Sequence, residues 1–210
     1  MKPVIQLIAA ASATFAIATS AIAAETPDAL VKRISTDVID TVKADKEIQA
    51  GNRAKIIELV NAKILPHVDA EKMTQQAAGR FWPQATPEQK KKLTHEFKTL
   101  MVYTYSGALS QIRNETVEFK PMRAEPGATE VEVRSQVNMT RGEPISLNYR
   151  LSNGPQGWKI YDLAAMGGWL IQTQQSSFAS EINKSGIDGL IKKLADRNQQ
   201  LASKPLKAPK

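Results

Sequence analysis

The chain has 210 residues, no cysteine and a formal net charge of +7 at pH 7. The lack of cysteine excludes disulfides, thiol nucleophiles and thiolate metal sites. The basic excess points to anionic partners: lipid headgroups, acidic protein surfaces or nucleic acid.

Lys2 precedes an apolar run from Val4 to Ile22, and Ala21-Ile22-Ala23 has the form of a signal-peptidase site. Residues 1–23 are therefore predicted to be a cleavable signal peptide, with Ala24 as the mature start. Ser, Thr and Ala dilute the run and no stop-transfer charges follow, which argues against a retained anchor. The mature chain, without another apolar stretch of spanning length, is expected to be soluble and exported.

Thr26-Pro27-Asp28 reads as a helix start, with Leu30, Val31, Ile34, Val38 and Val42 at helical spacing behind it. A second helix is predicted from about Asn52, carrying Ile56, Ile57, Leu59, Val60 and Ile64, and ending before Pro66. Asp69 is placed to cap a short third helix that Gly79 closes. Arg80-Phe81-Trp82-Pro83 forms an aromatic corner. Thr86-Pro87-Glu88-Gln89 is a capping box opening a long helix to about Ile112.

From Glu115 the hydrophobic period changes to two. "VEFKPM" reads as an edge strand because of Pro121. "TEVEVRSQVNMT" directs Val131, Val133, Val137 and Met139 to one face, and "ISLNYRLS" does the same with Ile145, Leu147, Tyr149 and Leu151. "GWKIYDLAA" is a fourth, less regular strand. The short links between strands favour antiparallel pairing. Helical spacing returns after Gly168 and breaks at Gly186-Ile187-Asp188-Gly189. The predicted fold is α+β, a four-stranded antiparallel sheet with its apolar face against a mainly helical layer. Residues 24–198 form one domain, and residues 199–210 are expected to be a disordered basic tail.

Chemistry is sparse. His67 follows Pro66 in a loop and His95 lies mid-helix, with no zinc-protease spacing. No G-x-S-x-G elbow or phosphate-binding glycine loop is present. Asp162 is the most interesting carboxylate, lying among apolar residues, but the sequence places no second acid beside it for glycosidase-type chemistry. The strand faces mix Glu with Arg and lack the basic and aromatic interleaving of nucleic-acid binders. No metal site and no catalytic group is expected. Lys90-Lys91-Lys92 and Lys192-Lys193 read as solvated helix faces. What remains is apolar: Phe81, Trp82, Leu100, Tyr103 and Tyr105 from helices, and Tyr149, Trp158, Ile160, Met166 and Trp169 from the last strands and their turn. Periodicity reads them as core. A methionine beside two glycines and an aromatic also suits the adaptable wall of a pocket, and composition leaves both readings open.

The order of "FWPQATPEQKKKLTHEFKTLMVYTYSGAL", "PISLNYRLSNGPQGWKIYDL" and "SSFASEINKSGIDGLIKKL" strongly resembles the MlaC family, the toluene-tolerance auxiliary proteins, over about residues 27–197. The resemblance implies an NTF2-like cone with a deep apolar cavity between a curved sheet and helices. It implies a periplasmic, non-enzymatic carrier of phospholipid, with tails in the cavity and the headgroup near its mouth. Bound phospholipid would be cargo, and no cofactor is implied. The partners implied are an outer-membrane lipoprotein complex and an inner-membrane ABC transporter with its substrate-binding ring. Membrane contact would come only through them, with the carrier acting as a monomer. The cavity wall expected on this basis is Phe81, Trp82, Leu100, Tyr103, Tyr105, Leu109, Val133, Val137, Leu147, Tyr149, Trp158, Ile160, Met166, Trp169, Leu170 and Phe178. Arg134, Arg150 and Lys90–Lys92 are candidate docking cations. The sequence departs from the family pattern at Met166 and Thr173-Gln174-Gln175, where many members carry an acid and an Asn-Tyr-Arg run. Alternatives are a carrier of a hopanoid-like lipid, a lipid-acting enzyme using Asp162, and an interaction module with a filled core.

Overall fold

The computed structural model describes residues 25–122, 125, 127–140, 142–165 and 167–206. The proposed signal peptide and Met166 lie outside the described residues. Helix α1 (Pro27–Ala44) starts at the predicted proline and buries Leu30, Val31, Ile34, Val38 and Val42. A four-residue helix, α2 (Lys46–Gln49), follows because the Asp45 carboxylate accepts the N–H groups of Glu47 and Ile48 at 2.8 and 3.2 Å. It is too short for periodicity to reveal. Asn52 caps α3 (Arg53–Leu59), which loosens into a π turn over Val60–Ile64 and a 3-10 turn over Leu65–His67 at Pro66. Asp69 caps α4 (Ala70–Ala78) through the Lys72 N–H, and Gly79 ends it at φ 53°.

The capping box of α5 (Pro87–Tyr105) is present in both directions. Thr86 Oγ1 accepts the Gln89 N–H at 3.2 Å, and Gln89 Oε1 accepts the Thr86 N–H at 3.0 Å. The helix stops earlier than Ile112, passing into a 3-10 turn over Ser106–Gln111. Ser106 and Gly107 explain the stop. The serine hydroxyl donates back to the Val102 carbonyl at 2.5 Å, and glycine is a poor helix former.

The sheet has five strands, not four, in the order β1 (Thr116–Phe119), β2 (Glu130–Asn138), β3 (Ile145–Gly154), β4 (Gly157–Ala165) and β5 (Gly168–Trp169), all antiparallel. The fifth is a two-residue return that pairs Trp169 with Ala164, too short to carry a pattern of its own. Val133, Tyr149 and Leu163 stand opposite one another on one face, as do Val131, Leu151 and Ile160. The irregularity of the fourth strand is a bulge. Leu151 faces Ile160 and Arg150 faces Asp162, leaving Tyr161 as the extra residue.

The last helix, α6 (Leu170–Ala202), is kinked at Gly186, whose φ of 73° and ψ of −178° suit only glycine. Gly189, one turn on, must also be small, because a Cβ there would lie 2.1 Å from Ser185 Oγ. The helix continues to Ala202, and Leu206 is buried against the first apolar cluster described below. The expected disordered tail is therefore corrected for residues 199–206. Arg53 Nη1 donates to the Lys204 carbonyl at 2.8 Å and holds the segment down. Residues 207–210 lie outside the described residues.

Two apolar clusters result. One joins α1, α2 and α3 to Val133, Tyr149, Leu151 and Ile160 of the sheet. The other joins α4, the Phe81-Trp82 corner, α5 and α6 around Phe97 and Phe178, and reaches the sheet through Tyr161. The bulge makes this possible: neighbours Ile160 and Tyr161 enter different clusters. Helices therefore meet β4 from both sides, in place of a layer on one face only.

Candidate functional site

Asp162 is fully buried, and its bonds assign it a structural task. Oδ1 accepts the N–H groups of Leu163 at 2.9 Å and Ile171 at 3.1 Å, and Oδ2 lies 3.4 Å from Arg150 Nη1. The side chain of Trp169, at the N-cap of α6, makes no capping bond; Asp162 supplies the acceptor from β4 instead. Burial raises the Asp162 pKa, with the two N–H bonds and Arg150 opposing it. Arg150 in turn stacks on Trp169, 3.7 Å from the ring centroid. The strand, the return and the helix start are thus tied at one corner. Of the histidines, His95 is exposed, and His67 is half-buried with its pKa lowered by burial and by Arg33 and Lys159. Among the described residues, no group of three or more His, Cys, Asp or Glu could hold a metal ion.

The expected wall residues divide between the clusters. Val133, Tyr149 and Ile160 are buried in the first, with Leu109, Leu147 and Trp158 half-buried against them. Burial pushes the Tyr149 phenol up, and the hydroxyls of Ser35 and Ser135 work against that shift. Phe81, Trp82 and Phe178 are buried in the second cluster, with Leu100 half-buried beside them. Phe178 meets Phe97 edge to face at 5.0 Å. Val137 is half-buried between Val117 and Ile145 in the ladder. Tyr105 is half-buried, with its phenol pKa raised by burial, while Tyr103 lies under the Arg53 guanidinium at 4.4 Å. Trp169 and Leu170 are half-buried at the tied corner.

A band of half-buried apolar side chains therefore runs from Leu100 to Ile112 and on to the ends of β3 and β4. Sequence reasoning omitted Ile57, Ile64, Ile112, Phe119, Met122 and Leu163, which also pack half-buried against the first cluster. Strand alternation could have found Phe119 and Leu163. Met122 follows Pro121 outside any period and gave no signal. An open groove of about 670 Å³ along α6 is a separate feature, bordered by Lys184, Lys192, Lys193 and Arg197; among the described residues of the expected wall, only Leu100 and Phe178 touch it.

The candidate docking cations are largely engaged. Arg134 Nε bonds Glu132 at 2.9 Å, Lys92 lies 3.6 Å from Glu88, and Lys90 sits 5.5 Å over Trp82.

The class defined by these features is an α+β protein whose five-stranded antiparallel sheet packs with helices around two apolar clusters, with a band of half-buried apolar side chains beside them. Within that class the chain belongs to the MlaC family, since the family model described as "MlaC protein" matches residues 32–196. The chain is 24% identical over 195 residues to the intermembrane phospholipid transport system binding protein MlaC of Haemophilus influenzae, covering 91% of this chain and 89% of that one. It is 26% identical over 196 residues to the toluene tolerance protein ttg2D of Pseudomonas putida, covering 90% and 91%. Among solved structures, it resembles the phospholipid-binding protein of Ralstonia solanacearum in complex with a phospholipid, at 46% identity and a TM-score of 0.79, covering 84% of this chain and 98% of that one.

Proposed function

We propose that this protein is a periplasmic phospholipid carrier that binds its cargo without catalysing a reaction. The observation that carries the reading is the 46% identity and shared fold with a protein solved in complex with a phospholipid. The half-buried band supports it from within. We assign the cavity wall to the first cluster and its rim: Leu109, Val133, Val137, Leu147, Tyr149, Trp158, Ile160 and Leu163, with Tyr103, Tyr105, Trp169 and Leu170 toward the mouth. Phe81, Trp82, Leu100 and Phe178 back this wall from the second cluster. In this reading the sheet and helices form an NTF2-like cone with a deep apolar cavity that opens when tails enter. The protein, exported by its signal peptide and acting as a monomer, shuttles lipid between an outer-membrane lipoprotein complex and an inner-membrane ABC transporter with its substrate-binding ring.

The physical need for a carrier is plain. Burying a methylene is worth ~0.8 kcal/mol, so two tails of ~15 methylenes resist water by about 24 kcal/mol. Only a protein that matches most of that burial can take a lipid across an aqueous space, and docking must then let the tails pass directly to the partner. Protein purified without detergent should release phospholipid into organic solvent, and native mass spectrometry should show a lipid adduct. Bare polypeptide in repeated preparations would overturn the assignment.

A further inference from the structure

A cleft of about 360 Å³ lies at the start of α1, where Pro66 and the β3–β4 turn meet it. Three basic side chains from three separate segments line it: Arg33 of α1, His67 after Pro66, and Lys159 of β4. Two of them are held by hydrogen bonds. Arg33 Nε and Nη2 donate to the Glu25 carboxylate at 2.7 and 2.8 Å, and Lys159 Nζ donates to the Pro66 carbonyl at 2.6 Å. Glu25, the single carboxylate lining the cleft among the described residues, already occupies the Arg33 fork in the bidentate manner by which guanidinium recognises carboxylate or phosphate. Nη1 is a further donor on the same fork. The imidazole senses the local charge: burial, Arg33 and Lys159 lower the His67 pKa, and Glu25 opposes them. Leu30 and Trp158, which also line the cleft, belong to or pack against the first apolar cluster, so the cleft adjoins the apolar interior.

We infer that the cleft formed by Arg33, His67 and Lys159 binds a phosphate group, with Glu25 as an internal competitor. The chemistry fits either a phosphodiester whose tails lie in the adjoining interior or a free phosphate anion. The site stands on its own geometry, and only the first source rests on the carrier reading.

The test uses the mature chain, stripped of lipid for the phosphate titration and as purified for the lipid measurement. Inorganic phosphate is titrated at constant ionic strength against chloride, following the His67 imidazole and Trp158 indole by NMR. A saturable shift of both signals is expected, with the His67 pKa rising as the anion binds. The paired substitution Arg33→Gln and Lys159→Gln should weaken phosphate binding by about tenfold or more, equivalent to ~1.4 kcal/mol. Glu25→Gln should strengthen it, an outcome that a purely structural ion pair would not produce. Unchanged thermal melts would establish that each variant is folded. Lipid phosphorus is then measured in the paired variant. Loss of lipid along with phosphate binding assigns the site to a headgroup, and retained lipid assigns it to a free anion. Shifts matched by chloride, or phosphate binding undiminished in the paired variant, would overturn the inference. Saturable phosphate binding by a protein that never yields lipid would instead overturn the carrier reading and leave the cleft standing.

Discussion

The two apolar clusters differ in how they are closed. The second centres on aromatic rings, with Phe97 and Phe178 at 0% and 1% exposure and in edge-to-face contact. The first is sealed on its helical side by Val31, Val42 and Ile56, but toward Leu109, Leu147 and Leu163 it thins into half-buried side chains. A dense cluster resists deformation and a thin one has room to yield. On the carrier reading proposed above, the second cluster is a rigid support and the first a deformable receptacle, and they should respond differently to substitution.

The largest effect is expected in the support. Phe97→Ala should destabilise the fold by about 3–5 kcal/mol in urea titrations, because a closed aromatic contact leaves a cavity that cannot collapse. The lipid content of the folded fraction should stay near normal; parallel loss of lipid would mean the clusters are one unit. Asp162→Ala removes the acceptor for the Ile171 N–H and the partner of Arg150, and should cost about 1–3 kcal/mol. Backbone amide exchange should quicken first at the start of α6. Gly186→Ala, which forces a side chain into the φ 73° kink, should cost about 1–3 kcal/mol by thermal melting. A loss of only a few tenths would show that α6 straightens without penalty. Leu147→Trp acts on the receptacle and should cost about 1 kcal/mol or less, since the site is half open, while lowering bound lipid phosphorus well below wild type. Unchanged occupancy would place the wall elsewhere.

The smallest effect concerns pH. The Glu130 pKa is lowered, chiefly by its hydrogen bond to Lys72 and also by that from the Tyr161 hydroxyl, whose own pKa is pushed up to about 12. A carboxylate with a depressed folded pKa contributes stability above its unfolded pKa and loses it as pH falls through the folded one. Asp162, with a raised pKa, has the opposite sign: its contribution is full at low pH and fades as pH rises through its folded pKa. Glu130→Gln should therefore flatten the acid limb of stability by only a few tenths of a kcal/mol, because the Glu130 carboxylate is exposed to water. Urea midpoints measured from pH 3 to pH 6 would reveal a steeper limb if the pair matters more.

Local chemistry was readable where it is carried by neighbouring residues. Asp69 with Gly79 and the Thr86–Gln89 box mark helix ends through bonds spanning a few positions, Pro27 marks the start of α1 without a side-chain cap from Thr26, and the alternation of β2 and β3 survives in their register. What escaped depends on partners distant in sequence or on breaks in period. The bulge at Tyr161 exists because Arg150 and Leu151 change partners across the ladder, and the cap of α6 comes from a residue on another element. The ordering of Lys204 and Leu206 depends on Arg53 and the first cluster, so a polar tail gave no warning of it. For the candidate site, residue types were legible, but periodicity could not tell which apolar residues share a cluster.

The bulge has one more consequence. Ile160 lines the interior, while Tyr161 lies under Lys72, 4.5 Å from its ring, and donates to Glu130 on the outer surface. Successive Cα atoms are only ~3.8 Å apart, so a single peptide step of β4 joins the two clusters.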